Sequence, residues 1–321
     1  MSVTRRNALG AAVVAAIAPS IVRQGQAAQP AATDQAPGFY RFKVGDLQVT
    51  AINDGVAFRP LDGFIKNAPE ADVKQALAAA FLPSDKMTIP FTTLVVNSGS
   101  KLVLLDTGNG NSGAPTSGTW MANFKAAGFD PANVDTILIS HFHGDHINGM
   151  RLKDGTAVFP KAEVMVPAPE WGFWMDDAKM AAAPDGLKPN FQNVRRVFGP
   201  MAKDIKQFEW GKEPVTGITT IAAPGHTPGH TAFAIASGSG KLMVMSDTTN
   251  NPALFVRNPD WQAVFDMNGP EAAATRRKML DMAATDKMQV SFYHASFPAT
   301  GFIAKEGTGF QMVPVSWAPS I

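Results

Sequence analysis

Ser140-His141-Phe142-His143-Gly144-Asp145-His146-Ile147-Asn148-Gly149-Met150 places three imidazoles and one carboxylate within six consecutive residues. Three further groups of the same chemistry, His226, Asp247 and His294, come from later segments and can meet the first cluster only through folding. The chain has six histidines, and five of them fall into this constellation. Histidines placed for packing alone would scatter without regard to one another. Together the seven residues describe a two-metal site.

Borderline divalent cations accept imidazole nitrogen and carboxylate oxygen, and a hydrolytic site needs several such ligands with a position left for water. The chain has no cysteine, so thiolate sites, iron–sulfur clusters and CxxC redox chemistry are excluded. Val134 and the run Ile137–Ile139 read as a buried strand that Gly144 interrupts where the ligands begin. Ile218–Ala222 reads as a second strand ahead of the Pro224-Gly225-His226-Thr227-Pro228-Gly229-His230 turn. Lys241–Met245 is a third, closed by Ser246 and Asp247, and Gln289–Tyr293 a fourth, running into His294. Four strand ends thus deliver the ligands.

The HxHxDH pattern of His141, His143, Asp145 and His146 resembles the signature of the metallo-β-lactamase superfamily. Asp106-Thr107-Gly108, the Pro-Gly-His-Thr-Pro-Gly-His turn, Asp247 and His294 follow in that family's order. Ala36–Arg41 and His294-Ala295-Ser296-Phe297-Pro298 look most like its methyl parathion hydrolase branch, with lactone- and aryl-ester-hydrolysing relatives. The resemblance implies a four-layer αββα sandwich and two divalent cations per chain. His141, His143 and His226 would hold one cation and Asp145, His146 and His294 the other, with Asp247 bridging. Zn²⁺ is the default, and Mn²⁺, Co²⁺ or Fe²⁺ suit the same ligands. Two such ions roughly 3.5–4 Å apart lower the pKa of a shared water toward ~7. The implied reaction is hydrolysis of a lactone, an aryl ester or an organophosphate triester by a bridging hydroxide. Asp145 and Asp247 are then the catalytic carboxylates, Asp145 also handling protons at the leaving group. The alternatives are a mononuclear iron oxidoreductase of the persulfide-dioxygenase kind and a silent metal-binding module. Relatives of the branch are often dimers, which implies a homodimer.

Acyl-homoserine lactonases of the superfamily place a tyrosine three residues after the bridging aspartate, and Asn250 stands there, which disfavours that substrate class. The loop Gly108–Gly118 lacks the aromatic residue of methyl parathion hydrolases, so a roomier or less aromatic pocket is expected.

Arg5-Arg6, the apolar run Ala8–Val22 and Gly25-Gln26-Ala27 read as an export signal over residues 1–28, cleaved after Ala27 or Ala28. Thr4–Leu9 resembles a twin-arginine signal, with an ordinary Sec signal as the alternative. The expected destination is periplasmic or secreted, without a stable membrane anchor. Residues 29–37 read as a linker and 38–321 as one hydrolase domain. Removing Arg5, Arg6 and Arg23 with the signal from 28 basic residues leaves 25 against 27 acidic ones. No basic cluster exceeds Arg195-Arg196 or Arg276-Arg277-Lys278, so a nucleic-acid partner is not expected. A small hydrophobic ester-like substrate is.

Strands are also read at Leu47–Ile52, Thr92–Asn97 and Lys101–Leu105, the last two joined by Asn97-Ser98-Gly99-Ser100 as a hairpin. Helical spacing marks Glu70–Phe81, Met121–Ala127, part of Gln192–Phe208, and Pro270–Ala284. Strands alternating with helices in two successive sets indicate a layered α/β fold. The segment 167–213 is rich in aromatic residues, Met and Pro and reads as an insertion over the site. Trp174 and Phe191 in it are expected either to line a hydrophobic substrate pocket or to be core. His230 reads as a hydrogen-bonded structural histidine, Asp106 as the carboxylate that orients an imidazole or the ligand loop, and Tyr293 as core.

Overall fold

Two β-sheets form because two sets of strands carry apolar residues on both faces. The computed structural model describes residues 32–33 and 35–321; the expected signal and part of the linker lie outside them. The first half runs β1 (Phe39–Val44), β2 (Leu47–Pro60), α1 (Glu70–Ala79), β3 (Lys86–Asn97), β4 (Leu102–Leu105), α2 (Trp120–Ala126), β5 (Thr136–Leu138) and α3 (Gly144–Ile147). It continues through β6 (Glu163–Pro167), α4 (Ala168–Trp174), α5 (Asp177–Ala182), α6 (Lys188–Phe198) and β7 (Lys206–Phe208). The second half contains β8 (Ile218–Ala222), β9 (Thr231–Ser237), β10 (Gly240–Ser246), α7 (Pro252–Phe255), α8 (Gly269–Thr285), β11 (Gln289–Phe292), β12 (Thr300–Glu306) and β13 (Gly309–Pro314). The strands β1 to β7 form one sheet in sequence order, and the other has the order β13-β12-β11-β10-β9-β8. Pairing is antiparallel from β1 to β4 and parallel from β4 to β7; in the second sheet only β10 and β11 are parallel.

Side chains alternate across a strand, so consecutive apolar residues feed two different cores. Leu94, Val96, Val103 and Leu105 meet Phe233, Ile235, Leu242 and Val244 between the sheets. Val95 and Leu104 point the other way, toward Trp120 and Phe124 of α2 and Phe191, Val194 and Val197 of α6. On the far side, Met243, Met245 and Val290 pack on Met279, Leu280 and Ala283 of α8. Burial on both faces explains why these strands read as apolar runs rather than as alternation. The result is the expected four-layer αββα sandwich, and residues Pro37–Ile321 make one compact unit. Among the described residues no helix is long and apolar enough to cross a membrane.

Two strands extend beyond their expected limits. Asn53-Asp54-Gly55 has turn composition, yet β2 continues through it with a shift in register between Asn53 and Val56, and Gly55 takes φ +84°. That is a bulge, which bends the strand without ending it. β3 begins at Lys86 and tolerates Pro90, whose carbonyl is used at the site below. The segment 167–213 is mostly not a cover for the site. Its helices α4 and α6 pack on the outer face of the first sheet and β7 joins that sheet's edge.

Candidate metal centre

The ends of β5, β8, β10 and β11 converge, as the apolar-run-then-polar pattern predicts. β5 leads into the loop and short α3 that carry His141, His143, Asp145 and His146; β8 leads to His226, β10 to Asp247 and β11 to His294. His141, His143, His226 and Asp247 form one group and Asp145, His146, Asp247 and His294 another, with the donor atoms of each group within 4.8 Å of one another. Asp247 belongs to both.

The contacts within each group have the spacing of donor atoms around one cation. Nδ1 of His143 lies 3.1 Å from Nε2 of His141 and 2.9 Å from Nε2 of His226. Oδ2 of Asp247 is 3.3 Å from Nε2 of His226 and 3.0 Å from Nε2 of His294, while its Oδ1 is 3.2 Å from Nε2 of His146. Asp145 Oδ2 is 3.5 Å from Nε2 of both His146 and His294. A tetrahedral shell with bonds near 2.0–2.1 Å has edges of roughly 3.3 Å. Nε2 of His146 and Oδ1 of Asp247 are buried and have no hydrogen-bond partner, which is costly unless a cation satisfies them. The donor set therefore fits two divalent cations.

Outside this shell, hydrogen bonds fix which nitrogen faces inward. His146 Nδ1–H donates to Asp106 Oδ2 (2.8 Å), His226 Nδ1–H to Asp266 Oδ1 (2.9 Å) and His294 Nδ1–H to the Pro90 carbonyl (2.8 Å). Ser140 Oγ–H donates to Asp106 Oδ2 (2.7 Å), which leaves its oxygen free to accept from His141 Nδ1–H (3.0 Å) and Ser246 Oγ–H (2.8 Å). Asp106 thus orients both an imidazole and, through Ser140 N–H (2.7 Å), the ligand loop. His230 is structural: its Nδ1–H donates to Ala223 O and its Nε2 accepts from Asp247 N–H.

Tyr293 is core, buried with Phe91 and Leu254, and it also reaches the site. β11 ends at Phe292, so strand alternation no longer directs the ring, which lies on His146 at 3.8 Å between centroids. Its hydroxyl donates to the Asp145 carbonyl (2.7 Å). Burial, with the neighbouring carboxylates Asp145 and Asp106, holds the phenol well above its usual pKa, so it stays a neutral donor. Asp266 was not legible in the sequence, because nothing in its spacing from His226 marks the contact. Arg276, on α8, reaches Asp266 Oδ2 at 3.3 Å and the Thr248 carbonyl at 2.7 Å.

Without cations the cluster holds protons. Burial opposes charge on His226, but hydrogen bonds to Asp247 and Asp266 outweigh it and raise its pKa to about 9. His146 is also raised well above the ordinary value, burial being overcome by Asp247, Asp145 and Asp106. Burial and neighbouring imidazoles push His141 and His143 the other way. The His226 contribution to stability is complete below the unfolded value of 6.5 and is lost as the pH rises through about 9. His146 acts in the same direction. The metal-free protein is therefore expected to melt at progressively lower temperature from pH 6.5 to 9. Cations compete better as protons become scarcer, so the gap to metal-loaded protein should widen. Thermal melts with and without chelator across that range check this, and a flat metal-free profile would contradict it.

Five residues of the cluster, His143, Asp145, His226, Asp247 and His294, line a cavity of about 810 Å³. Its walls include Phe58, Ile89, Phe91, Val264, Phe265 and Met267, with Asn109, Asn148, Asn190 and Asn250 as neutral polar groups. Trp174 and Phe191 do not line it. Both are fully buried in the core beneath the first sheet's helices, their rings 4.7 Å apart, and Trp174 Nε1–H donates to Glu170. From the segment 167–213 only Leu187 and Asn190 reach the cavity. The pocket is also not poor in aromatics; they come from β2, β3 and the loop before α8 instead of from Gly108–Gly118.

A family model described as the metallo-beta-lactamase superfamily matches residues 88–294. The N-acyl homoserine lactonase AttM of Agrobacterium fabrum is 30% identical over 124 residues, 38% of this chain and 43% of that protein. The match thus spans less than half of that relative's length. Among solved structures, the dizinc quorum-quenching lactonase AidC, in complex with a product, is similar with a TM-score of 0.83 and 28% identity, over 88% of this chain and 98% of AidC. The hydrolase AbOPH of the beta lactamase superfamily gives 0.83 and 27%, over 89% of this chain and all of that one.

Proposed function

The chain belongs to the metallo-β-lactamase superfamily, and on that premise we propose that it is a dinuclear metal-dependent hydrolase of lactones and related esters. The observation that carries this reading is the pair of donor groups sharing Asp247, both of which open onto one cavity. AttM and AidC, both lactonases by description, support lactones as the leading class. Aryl esters share the carbonyl carbon that is attacked in a lactone, and organophosphate triesters present a phosphorus in its place; both stay within the proposal.

Two divalent cations bound there would supply an acidified water as nucleophile and stabilise negative charge on the attacked group. The chain's own residues do the rest. Phe58, Ile89, Phe91, Val264 and Phe265 bind the apolar part of the substrate and exclude water. Asp145, whose side chain is about a quarter exposed and faces the cavity, accepts the proton of the attacking water and returns it to the leaving oxygen. The hydrogen bond from Tyr293 to its carbonyl holds Asp145 in place. Residues 1–28 direct export, twin-arginine transport allowing metals to load before translocation.

Elemental analysis of the mature protein should return about two divalent cations per chain. Hydrolysis of an N-acyl homoserine lactone, a simple lactone, an aryl ester and an aryl phosphotriester should be abolished by chelation, with lactones turned over best. Two cations without hydrolysis of any of these would sink the reading. One iron per chain with oxygen uptake on a persulfide would replace it with the oxidoreductase.

A further inference from the structure

Glu170 is a carboxylate with no exposed surface, in the aromatic stretch Pro167–Trp174. Its two oxygens accept four hydrogen bonds. Oε1 takes Phe142 N–H (3.0 Å) and Trp174 Nε1–H (2.7 Å); Oε2 takes Thr227 Oγ–H (2.9 Å) and Gly229 N–H (2.8 Å). Three of the four donors belong to the ligand loops. Phe142 sits between His141 and His143, Thr227 follows His226, and Gly229 precedes His230, which holds the Asp247 backbone.

Contact between the elements is close as well as polar. A Cβ on Gly229 would stand 2.1 Å from the Glu170 nitrogen and 2.5 Å from its Cα, so the turn after His226 lies directly on α4. The Phe142 ring packs 4.6 Å from that of Phe198, anchoring the same loop from its other side. A neutral side chain could fill this volume. Only a carboxylate offers four acceptor positions in one plane, and here they join two loops far apart in sequence. No corresponding contact from Glu170 reaches Asp145, His146 or His294.

We propose that Glu170 is a positioning residue that holds the His141–His143 loop and the His226 turn in register, and so sets cation affinity far more at the position of His141, His143 and His226 than at the other, which shares only Asp247 with it. The inference rests on the two-metal reading and adds to it an asymmetry between the positions. In Glu170→Gln an amide N–H₂ must replace one oxygen and confront two of the four donors. Partners of this kind typically change metal affinity by about 10–100-fold.

The test is titration of metal-free protein with Zn²⁺ against a competing chelator, resolving two dissociation constants, for wild type, Glu170→Gln, His143→Ala and the double variant. Wild type should bind two Zn²⁺; any other stoichiometry defeats the two-metal reading itself. Glu170→Gln should weaken one position about 10–100-fold and leave the other within about twofold. In the His143→Ala background, which removes a ligand of that same position, Glu170→Gln should have no further effect on the remaining one. Equal weakening of both positions, or of neither, overturns the proposal. Should Glu170→Gln fail to fold, Thr227→Val removes a donor to the same carboxylate, and the same pattern at smaller size is required of it.

Discussion

Asp247→Ala is expected to purify with fewer than two divalent cations per chain and to lose hydrolytic activity by on the order of 10³-fold or more. Replacing a group that merely orients a ligand costs about 10–100-fold in metal affinity or activity. Asp247 is instead a donor itself and belongs to both groups. Its Oδ2 approaches His226 and His294 and its Oδ1 approaches His146. The substitution also removes the main negative charge among five imidazoles, and imidazoles such as His294 and His146 are what hold the Asp247 carboxyl well below its usual range against burial. The fold should survive, because the backbone of residue 247 keeps its hydrogen bond to His230. Elemental analysis and kcat on the best substrate decide the matter. Full metal content with full activity would remove the basis of the proposed function.

Arg276→Met is expected to give the largest loss of stability, about 3–5 kcal/mol in the metal-free protein. Arg276 is 1% exposed, lies on α8 and does not itself line the cavity. Its guanidinium donates to the carbonyls of Thr248 (2.7 Å), Pro259 (2.9 Å) and Trp261 (2.5 Å) and to Asp266 Oδ2 (3.3 Å), and lies over the Phe255 ring. Methionine fills similar volume but leaves buried Asp266 without its guanidinium partner and three carbonyls short of a donor. That is the costly way to break a buried pair. Urea denaturation of chelator-treated protein measures the loss. A change under about 1 kcal/mol would mean that the charge is not structurally required. Because Asp266 orients His226 and the loop 261–267 contributes cavity wall, metal affinity should fall as well.

The residues of the two donor groups were legible because their chemistry is local. HxHxDH needs only six residues, and a polar metal-binding group at the end of an apolar run identifies a strand end whatever that strand pairs with. The helices at Glu70, Met121 and Pro270 were legible for a similar reason, since 3.6-residue periodicity is a property of one segment. By contrast β13, at the sheet edge, and its neighbour β12 are buried at their first two residues and mostly exposed after them, so they carry a weak apolar signal. Asn53-Asp54-Gly55 has the composition of a turn and so marks an end to the strand, whereas pairing with β3 carries β2 through it as a bulge.

Residue type at short spacing is enough to specify the donor set, its oxygen and nitrogen chemistry and the layered α/β class. Which side chains surround that set was decided only by tertiary structure. Trp174 and Phe191 have the composition of a pocket wall but face the helical layer, while Phe58, Phe91 and Phe265 reach the cavity from segments that carry no pocket signature. Glu170, Asp266 and Arg276 look like surface charges in the chain. They are buried because each finds its partners across sequence separations that no local pattern encodes, and a buried charge is tolerated only where such partners meet it.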